Sequence, residues 1–274
     1  MRLKTSSETS ATYSSPNCFS EERSETRNPS MKKKFIRLID KLLGPAIRNH
    51  YDAPSMEWSF RNMRRLGFDP KFIVDVGAFN GEWTAMALAE FPEAIVLMLE
   101  AQENKRQIME SLTNAGRGRI YHRIAAMGAK DGEKVVFHEY EHAPTASSML
   151  RDHASAPARN VETSLRTLDS ILAADNFPQP DLIKLDVQGY ELEVLKGAES
   201  ALAGVEALLM EVSIVELYQN NPVLHHVTSF MAERGFRAYD ICSLLRRPLD
   251  RALCQIDIIF VKETSRYFQQ KAWD

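Results

Sequence analysis

Residues 72–83 read FIVDVGAFNGEW, a short apolar run carrying one acid, Asp75, that breaks into a turn bounded by Gly77 and Gly81 ahead of helix-forming sequence. An apolar stretch without alternation marks a strand buried on both faces of a parallel sheet. Glycines in the turn let a ligand approach the backbone, and the start of the next helix offers unpaired N–H donors. The G-x-x-x-G spacing lacks the G-x-G-x-x-G that holds a dinucleotide pyrophosphate. A buried carboxylate two residues before the first glycine repels phosphate but suits an ammonium or sulfonium group. The segment therefore predicts a cofactor turn suited to S-adenosylmethionine rather than NAD, with an ordinary strand-helix turn and a structural Asp75 as the plain alternative.

Outward from this strand the texture repeats. Apolar runs at 94–99, 182–186 and 207–212 read as further buried strands, with helical stretches at 82–90, 104–115 and 190–196. A helix over 56–66 is stopped by Gly67 and Pro70. Strands alternating with helices predict a doubly wound α/β domain. Residues 119–124 read as its third parallel strand. Residues 134–140 and 161–165 read as extra strands separated by a long loop, a β insertion after strand 3 whose loop is a candidate lid. Residues 236–241 and 255–261, joined by about a dozen residues without helical pattern, are expected to pair antiparallel at one edge.

The 274 residues are 44% hydrophobic and 26% charged with a net charge of −3, which excludes collagen-like or wholly disordered chains and gives no bulk reason to expect nucleic acid. Cys18, Cys242 and Cys254 form neither a C-x-x-C pair nor a framework, so a cytoplasmic setting is expected. Residues 1–30 hold twelve Ser or Thr and few large apolar side chains, the composition of a disordered leader, although Met31 could equally be a start. Residues 31–43, MKKKFIRLIDKLL, place apolar residues at helical spacing among basic ones. This amphipathic helix and its linker, 31–55, would pack on the domain or make weak membrane-surface contact, packing being preferred. No apolar run approaches the ~20 residues of a bilayer span, so no stable membrane insertion is expected. The domain is placed at 56–264 and a C-terminal tail at 265–274.

Two further acids stand where a ligand would lie. Glu100 ends the second strand and is placed to accept both hydrogens of a ribose diol, a spacing that NAD sites share. The fourth strand runs LIKLDVQGYELEVLKGA over 182–198, projecting Asp186 and Gln188 where strand order reverses. These segments resemble the FkbM family of S-adenosylmethionine-dependent methyltransferases. The resemblance rests on VDVGAFNGEW, Glu100, Ser147-Ser148, TLDSIL at 167–172, IKLDVQGYELEVLKGA and MEVS at 210–213. It covers roughly residues 56–262 and departs at Phe79, which stands between Ala78 and Asn80.

The resemblance implies a class I methyltransferase (Rossmann-like) fold. The sheet would be mostly parallel and seven-stranded, in the order 3-2-1-4-5-7-6, with one antiparallel edge strand. It implies O-methylation of a hydroxyl on a sugar, glycan or natural product. Asp75, Gly77, Ala78, Asn80 and Gly81 would frame the methionine part of S-adenosyl-L-methionine, and Ile124 with Ala125 would border its adenine. Asp186 and Gln188 would face the methyl group. Asp186 is the first candidate base, with Glu191 and Glu211 behind it; each has a structural alternative, holding the cofactor ammonium, favouring a helix start or capping a strand. Ser147, Ser148 and His142 on the long loop, with Glu211, are candidate substrate contacts.

His138-Glu-Tyr-Glu-His142 matches H-E-x-x-H, but residues four apart on a strand lie roughly 13 Å apart, so no metal site is expected. His225 and His226 read as a surface helix start. Arg246-Arg247 reads as a solvated pair that could meet an acidic group. Two other functions stay open: a catalytically silent S-adenosylmethionine-binding scaffold, and a nicotinamide-dependent oxidoreductase on a related sheet.

Overall fold

β1 (Phe72–Val76) is buried at every position. In the computed structural model, which describes residues 53–153, 157–269 and 271–272, it is an interior strand, third in order, of a seven-stranded sheet. The expectations for 1–30 and for nearly all of 31–55 lie outside the described residues.

α1 (Met56–Arg65) precedes it. The Ser55 hydroxyl accepts the Trp58 N–H at 3.3 Å, and Gly67 leaves the helix at φ +91°. There follow α2 (Glu82–Glu90), β2 (Ile95–Glu100), α3 (Arg106–Ala115) and β3 (Ile120–Ile124). β2 and β7 (Leu182–Leu185) flank β1 in parallel, β3 lies outside β2, and β8 (Ala207–Ser213) lies outside β7. α4 (Leu168–Ala174) is capped by Thr167, whose hydroxyl accepts the Ser170 N–H. α5 (Glu191–Lys196) and α6 (Glu199–Gly204) separate β7 from β8, and α7 (Leu224–Glu233) leads into the final strands.

β9 (Phe236–Arg246) and β10 (Leu253–Lys262) form an antiparallel hairpin, and β10 runs antiparallel between β8 and the edge strand β9. The full order, β3-β2-β1-β7-β8-β10-β9, is the 3-2-1-4-5-7-6 arrangement. The hairpin is longer than the sequence suggested, and the connection shrinks to residues 247–252. Register shifts beside Leu253 and Asp257 interrupt the two-residue period by which strands are recognised.

Alternation along the strands divides the core. Phe72, Val74, Val76, Ile183 and Leu185 pack toward α4–α7, while Ile73 and Leu182 pack with residues of α1–α3 such as Phe60, Met63, Ala87 and Met109. Asp75 and Lys184 pair across β1 and β7 and share the second face. The insertion forms a three-stranded sheet of β4 (Ala126–Met127), β6 (Arg159–Arg166) and β5 (Lys134–Glu139), in that order. No helix among the described residues is long and apolar enough to cross a membrane.

Candidate active site

A cavity of about 490 Å³ opens at the carboxyl ends of the parallel strands, where an open α/β sheet binds ligands. Its wall carries Gly77 after β1, Glu100 at the end of β2, Ala125 after β3, Asp186 after β7, Glu211 on β8 and Gln255 on β10. Asp152 and Ser147 reach it from the long loop.

Gly77 is required by close approach. It lies at φ +79°, and a Cβ built there would sit 1.9 Å from the Asp186 carbonyl oxygen. Glu100 is buried, its Oε2 accepting the Phe79 N–H at 2.8 Å and its Oε1 the Gln102 N–H at 2.9 Å. Burial pushes its carboxyl pKa up, and the two backbone bonds partly offset the shift. Phe79 is thereby held at φ +50°, its ring on the cavity wall beneath the Lys105 ammonium, 3.5 Å from the ring centroid.

The other turn residues face elsewhere. Asn80 Oδ1 accepts from Lys105 Nζ and its Nδ2 donates to Glu82; Ala78 is buried in the α1–α3 layer. A Cβ on Gly81 would meet Leu112 of α3 at 2.5 Å, so helix packing sets that residue's size. Ile124 lines a neighbouring cavity beside β6.

Asp75 is fully buried and lies outside the cavity wall. Its Oδ2 accepts from Thr84 Oγ1 at 2.7 Å, and its Oδ1 faces Lys184 Nζ at 3.2 Å without a well-formed hydrogen bond. Lys184 Nζ also lies 3.4 Å from Asp186 Oδ2 and donates to the Gly77 carbonyl at 3.0 Å. Burial works to lower the Lys184 pKa, but Asp75 and then Asp186 outweigh it and raise it. A lysine in the middle of a buried strand demands such partners; this was the signal in residues 182–186 that the sequence reading passed over.

Gln188 ties the acids together. Its Nε2 donates to Asp186 Oδ1 at 2.8 Å and to Glu211 Oε2 at 2.6 Å. Tyr218 stands 2.9 Å from both Gln188 Oε1 and the Ala146 carbonyl, and its single proton serves one of the two. The Tyr218 hydroxyl keeps that proton, because burial and then Glu211 push its pKa up. Gln188 is held at φ +56°, a second strained residue on the wall. Burial, then Asp186 and Glu191, push the Glu211 carboxyl well above its ordinary value. Tyr218 carried no sequence signal: it arrives from the loop after β8.

The long loop is anchored here. Ser148 Oγ donates to the Gln188 carbonyl at 2.8 Å, and Ser147 Oγ accepts the Tyr140 N–H. Ser147 lines the cavity, Ser148 lies beneath it, and His142 is exposed on the loop. His138 lies on β5 against Asn160 Oδ1, and His226 Nδ1 accepts the Val223 N–H at the start of α7.

Glu191 sits behind the wall, its Oε1 accepting the Val187 and Gly189 N–H groups at 3.0 and 3.1 Å. Burial raises its carboxyl to about 7. A carboxyl whose folded pKa is raised contributes stability that is present below about 4.5 and lost as pH rises through about 7. Glu191→Gln keeps an acceptor for both N–H groups. It is expected to flatten the pH dependence of the melting temperature over that window and to leave the protein at least as stable at pH 8; a variant that melts lower at pH 8 would refute this.

The residues present fit a cationic methyl donor. The described wall carries four carboxylates, Glu100, Asp152, Asp186 and Glu211, and neither lysine nor arginine, beside apolar Leu99, Ala125, Met127 and Phe137. Such a wall attracts ammonium and sulfonium charge and disfavours a pyrophosphate.

A family model described as the methyltransferase FkbM domain matches residues 75–238. The hexuronic acid methyltransferase AglP of Haloferax volcanii is 41% identical over 44 residues, 16% of this chain and 18% of that relative, so the match spans under a fifth of its length. Among solved structures, a precorrin-6y C5,15-methyltransferase from Geobacter metallireducens aligns with a TM-score of 0.43 at 10% identity, covering 76% of this chain and 87% of that one. A Burkholderia thailandensis 1,6-didemethyltoxoflavin-N1-methyltransferase aligns with a TM-score of 0.43 at 12% identity, covering 88% and 92%.

Proposed function

The chain belongs to the FkbM family of methyltransferases, with S-adenosylmethionine as methyl donor, and from that premise we propose that it methylates a neutral hydroxyl on a sugar or glycan. The observation that carries this reading is the convergence of Asp186 and Glu211 on Gln188 Nε2 in a cavity walled by carboxylates. Carboxylates and an amide accept hydrogen bonds from a polyol, whereas they repel an anionic acceptor. The short match to a hexuronic acid methyltransferase supports a sugar acceptor, while the charge of the wall favours an uncharged ring.

The cofactor supplies a methyl group on a sulfonium centre, and this chain's residues bind, orient and deprotonate. Glu100, fixed by two backbone N–H groups, would accept the ribose hydroxyls. Asp186 and Glu211 would receive the acceptor's proton as a coupled pair, burial and the neighbouring acids raising the proton affinity of Glu211 above that of an ordinary carboxylate. Gln188 holds both oxygens and Tyr218 holds Gln188, so the pair is oriented before substrate arrives. Ser148 ties the long loop to the Gln188 carbonyl and Thr145, Ala146, Ser147 and Met149 line the cavity, so this loop would help exclude water.

Incubation with methyl-labelled S-adenosylmethionine and a panel of neutral and uronic sugars tests the reading. A labelled methyl group on an ether oxygen of a neutral sugar supports it. Label on nitrogen, on carbon or in a uronate ester overturns it, as does cofactor binding with no transfer to any member. Glu211→Gln should keep cofactor affinity, lower kcat by about 10²–10⁴-fold and move the acid limb of the rate profile to lower pH. An unchanged kcat removes Glu211 from the proton path.

A further inference from the structure

The β9–β10 hairpin extends past the rest of the sheet. Ser213, the last residue of β8, pairs with Gln255, which pairs with Leu245, so residues 246–253 run beyond it on the side where the cavity opens. Leu245 and Gln255, at the base of this extension, line the cavity. Leu249, in the turn above them, is 85% exposed, and Leu244, on the edge strand beside them, is 48% exposed. Leu249 at the turn and Leu244 on the edge strand thus leave apolar surface exposed at and beside the hairpin tip. Arg246, Arg247 and Arg251 share the tip with a single acid, Asp250. Arg247 pairs with Asp250, Asp250 also accepts the Ala252 N–H, and Arg246 Nη1 donates to the Arg251 carbonyl. The turn is thus built, and a cationic surplus remains around the leucines.

We propose that this hairpin tip is a docking surface for an anionic lipid bilayer. Its leucines enter the acyl boundary and its arginines meet headgroup phosphates, with their stems lying along the interface. The charge argues against a second copy of the chain, since a two-fold contact between identical tips would set arginines against arginines. A single convex turn also falls short of the roughly 800 Å² per partner of a stable interface. One weak membrane signal gives only reversible binding. The sequence holds a second basic, apolar stretch at 31–43 that could add to it. Docking would bring the cavity mouth close to the membrane surface, since Leu245 and Gln255 at the base of the tip line the cavity. The docking does not rest on the acceptor reading.

The full chain should co-sediment with vesicles of phosphatidylcholine and phosphatidylglycerol, and much less with phosphatidylcholine alone, binding falling as salt rises. Leu244→Glu with Leu249→Glu should reduce the partition coefficient about tenfold or more. S-adenosylmethionine binding by calorimetry should be unchanged, since neither residue lines the cavity. If the double variant loses cofactor binding, Leu249→Glu alone, at the open turn, takes its place and should lower the partition in the same direction. Equal binding to both vesicle types overturns the proposal. So does undiminished binding by the folded variant, which would credit residues 31–43 alone, or a wild-type dimer that the variant dissociates without loss of vesicle binding. None of these measurements involves an acceptor, so their failure leaves the methylation reading standing.

Discussion

Replacing Lys184 by methionine is expected to cost about 3–5 kcal/mol of folding stability, the penalty for removing one partner of a buried ion pair. The ammonium lies between Asp75 and Asp186, 3.2 and 3.4 Å from their oxygens, with Asp75 buried outside the cavity wall and Asp186 on it. Asp75 is 0% exposed and its Oδ1 has no other polar partner, so methionine would leave a buried carboxylate uncompensated. Because the Lys184 pKa is raised, the stability it contributes is complete below about 10.5 and is lost only as pH rises through the folded value. Neutral solution therefore shows the full deficit. Adding Asp75→Asn should restore part of the stability, and chemical denaturation of the two single variants and the double variant measures the coupling. Additive losses would show that Lys184 acts through packing alone.

Gly77→Ala is expected to be comparably severe and to strike cofactor binding as well. The added Cβ would lie 1.9 Å from the Asp186 carbonyl oxygen and 2.8 Å from its carbon, both backbone atoms on the neighbouring strand's exit. Relief requires the ends of β1 and β7 to move apart, which displaces Asp186 and Gln188 from Gly77 and Glu100 on the other side of the cavity. Overpacking and the left-handed φ together suggest a loss of roughly 2–5 kcal/mol. Gly132 supplies the control. It has nearly the same φ, +76°, with nothing within 4 Å of a built Cβ, so Gly132→Ala suffers only the backbone penalty of about 1 kcal/mol. Thermal melts and calorimetric titration with S-adenosylhomocysteine read both effects. Equal losses in the two variants would mean that φ, and not the contact with Asp186, makes Gly77 necessary.

The architecture was legible because the central strands are buried on both faces. Residues 72–76, 182–185 and 207–213 are short, predominantly apolar and without alternation, each bounded by turn or helix-start residues, which is the texture of strands covered on both faces. Glu100, Asp186 and Gln188 were legible for a related reason: polar residues at the carboxyl ends of such strands stand where the ligand must lie. The β9–β10 hairpin was only half legible, since its register shifts break the period that reveals strands.

What the amino-acid order determined alone, then, is which segments become strands and which ends of them carry acid. The tertiary structure decided which of those acids meet. Asp75 sits two residues before the turn in the sequence, yet pairing with Lys184, more than a hundred residues away, draws it beneath the cavity wall. Gly81 reads as a ligand turn and is packed against α3. Tyr218, invisible as a motif, comes in on a loop to orient Gln188. The physical reason is that burial is a local property written in the run of apolar residues. The neighbours of a charged group depend on strand register and loop path, which only the assembled sheet specifies.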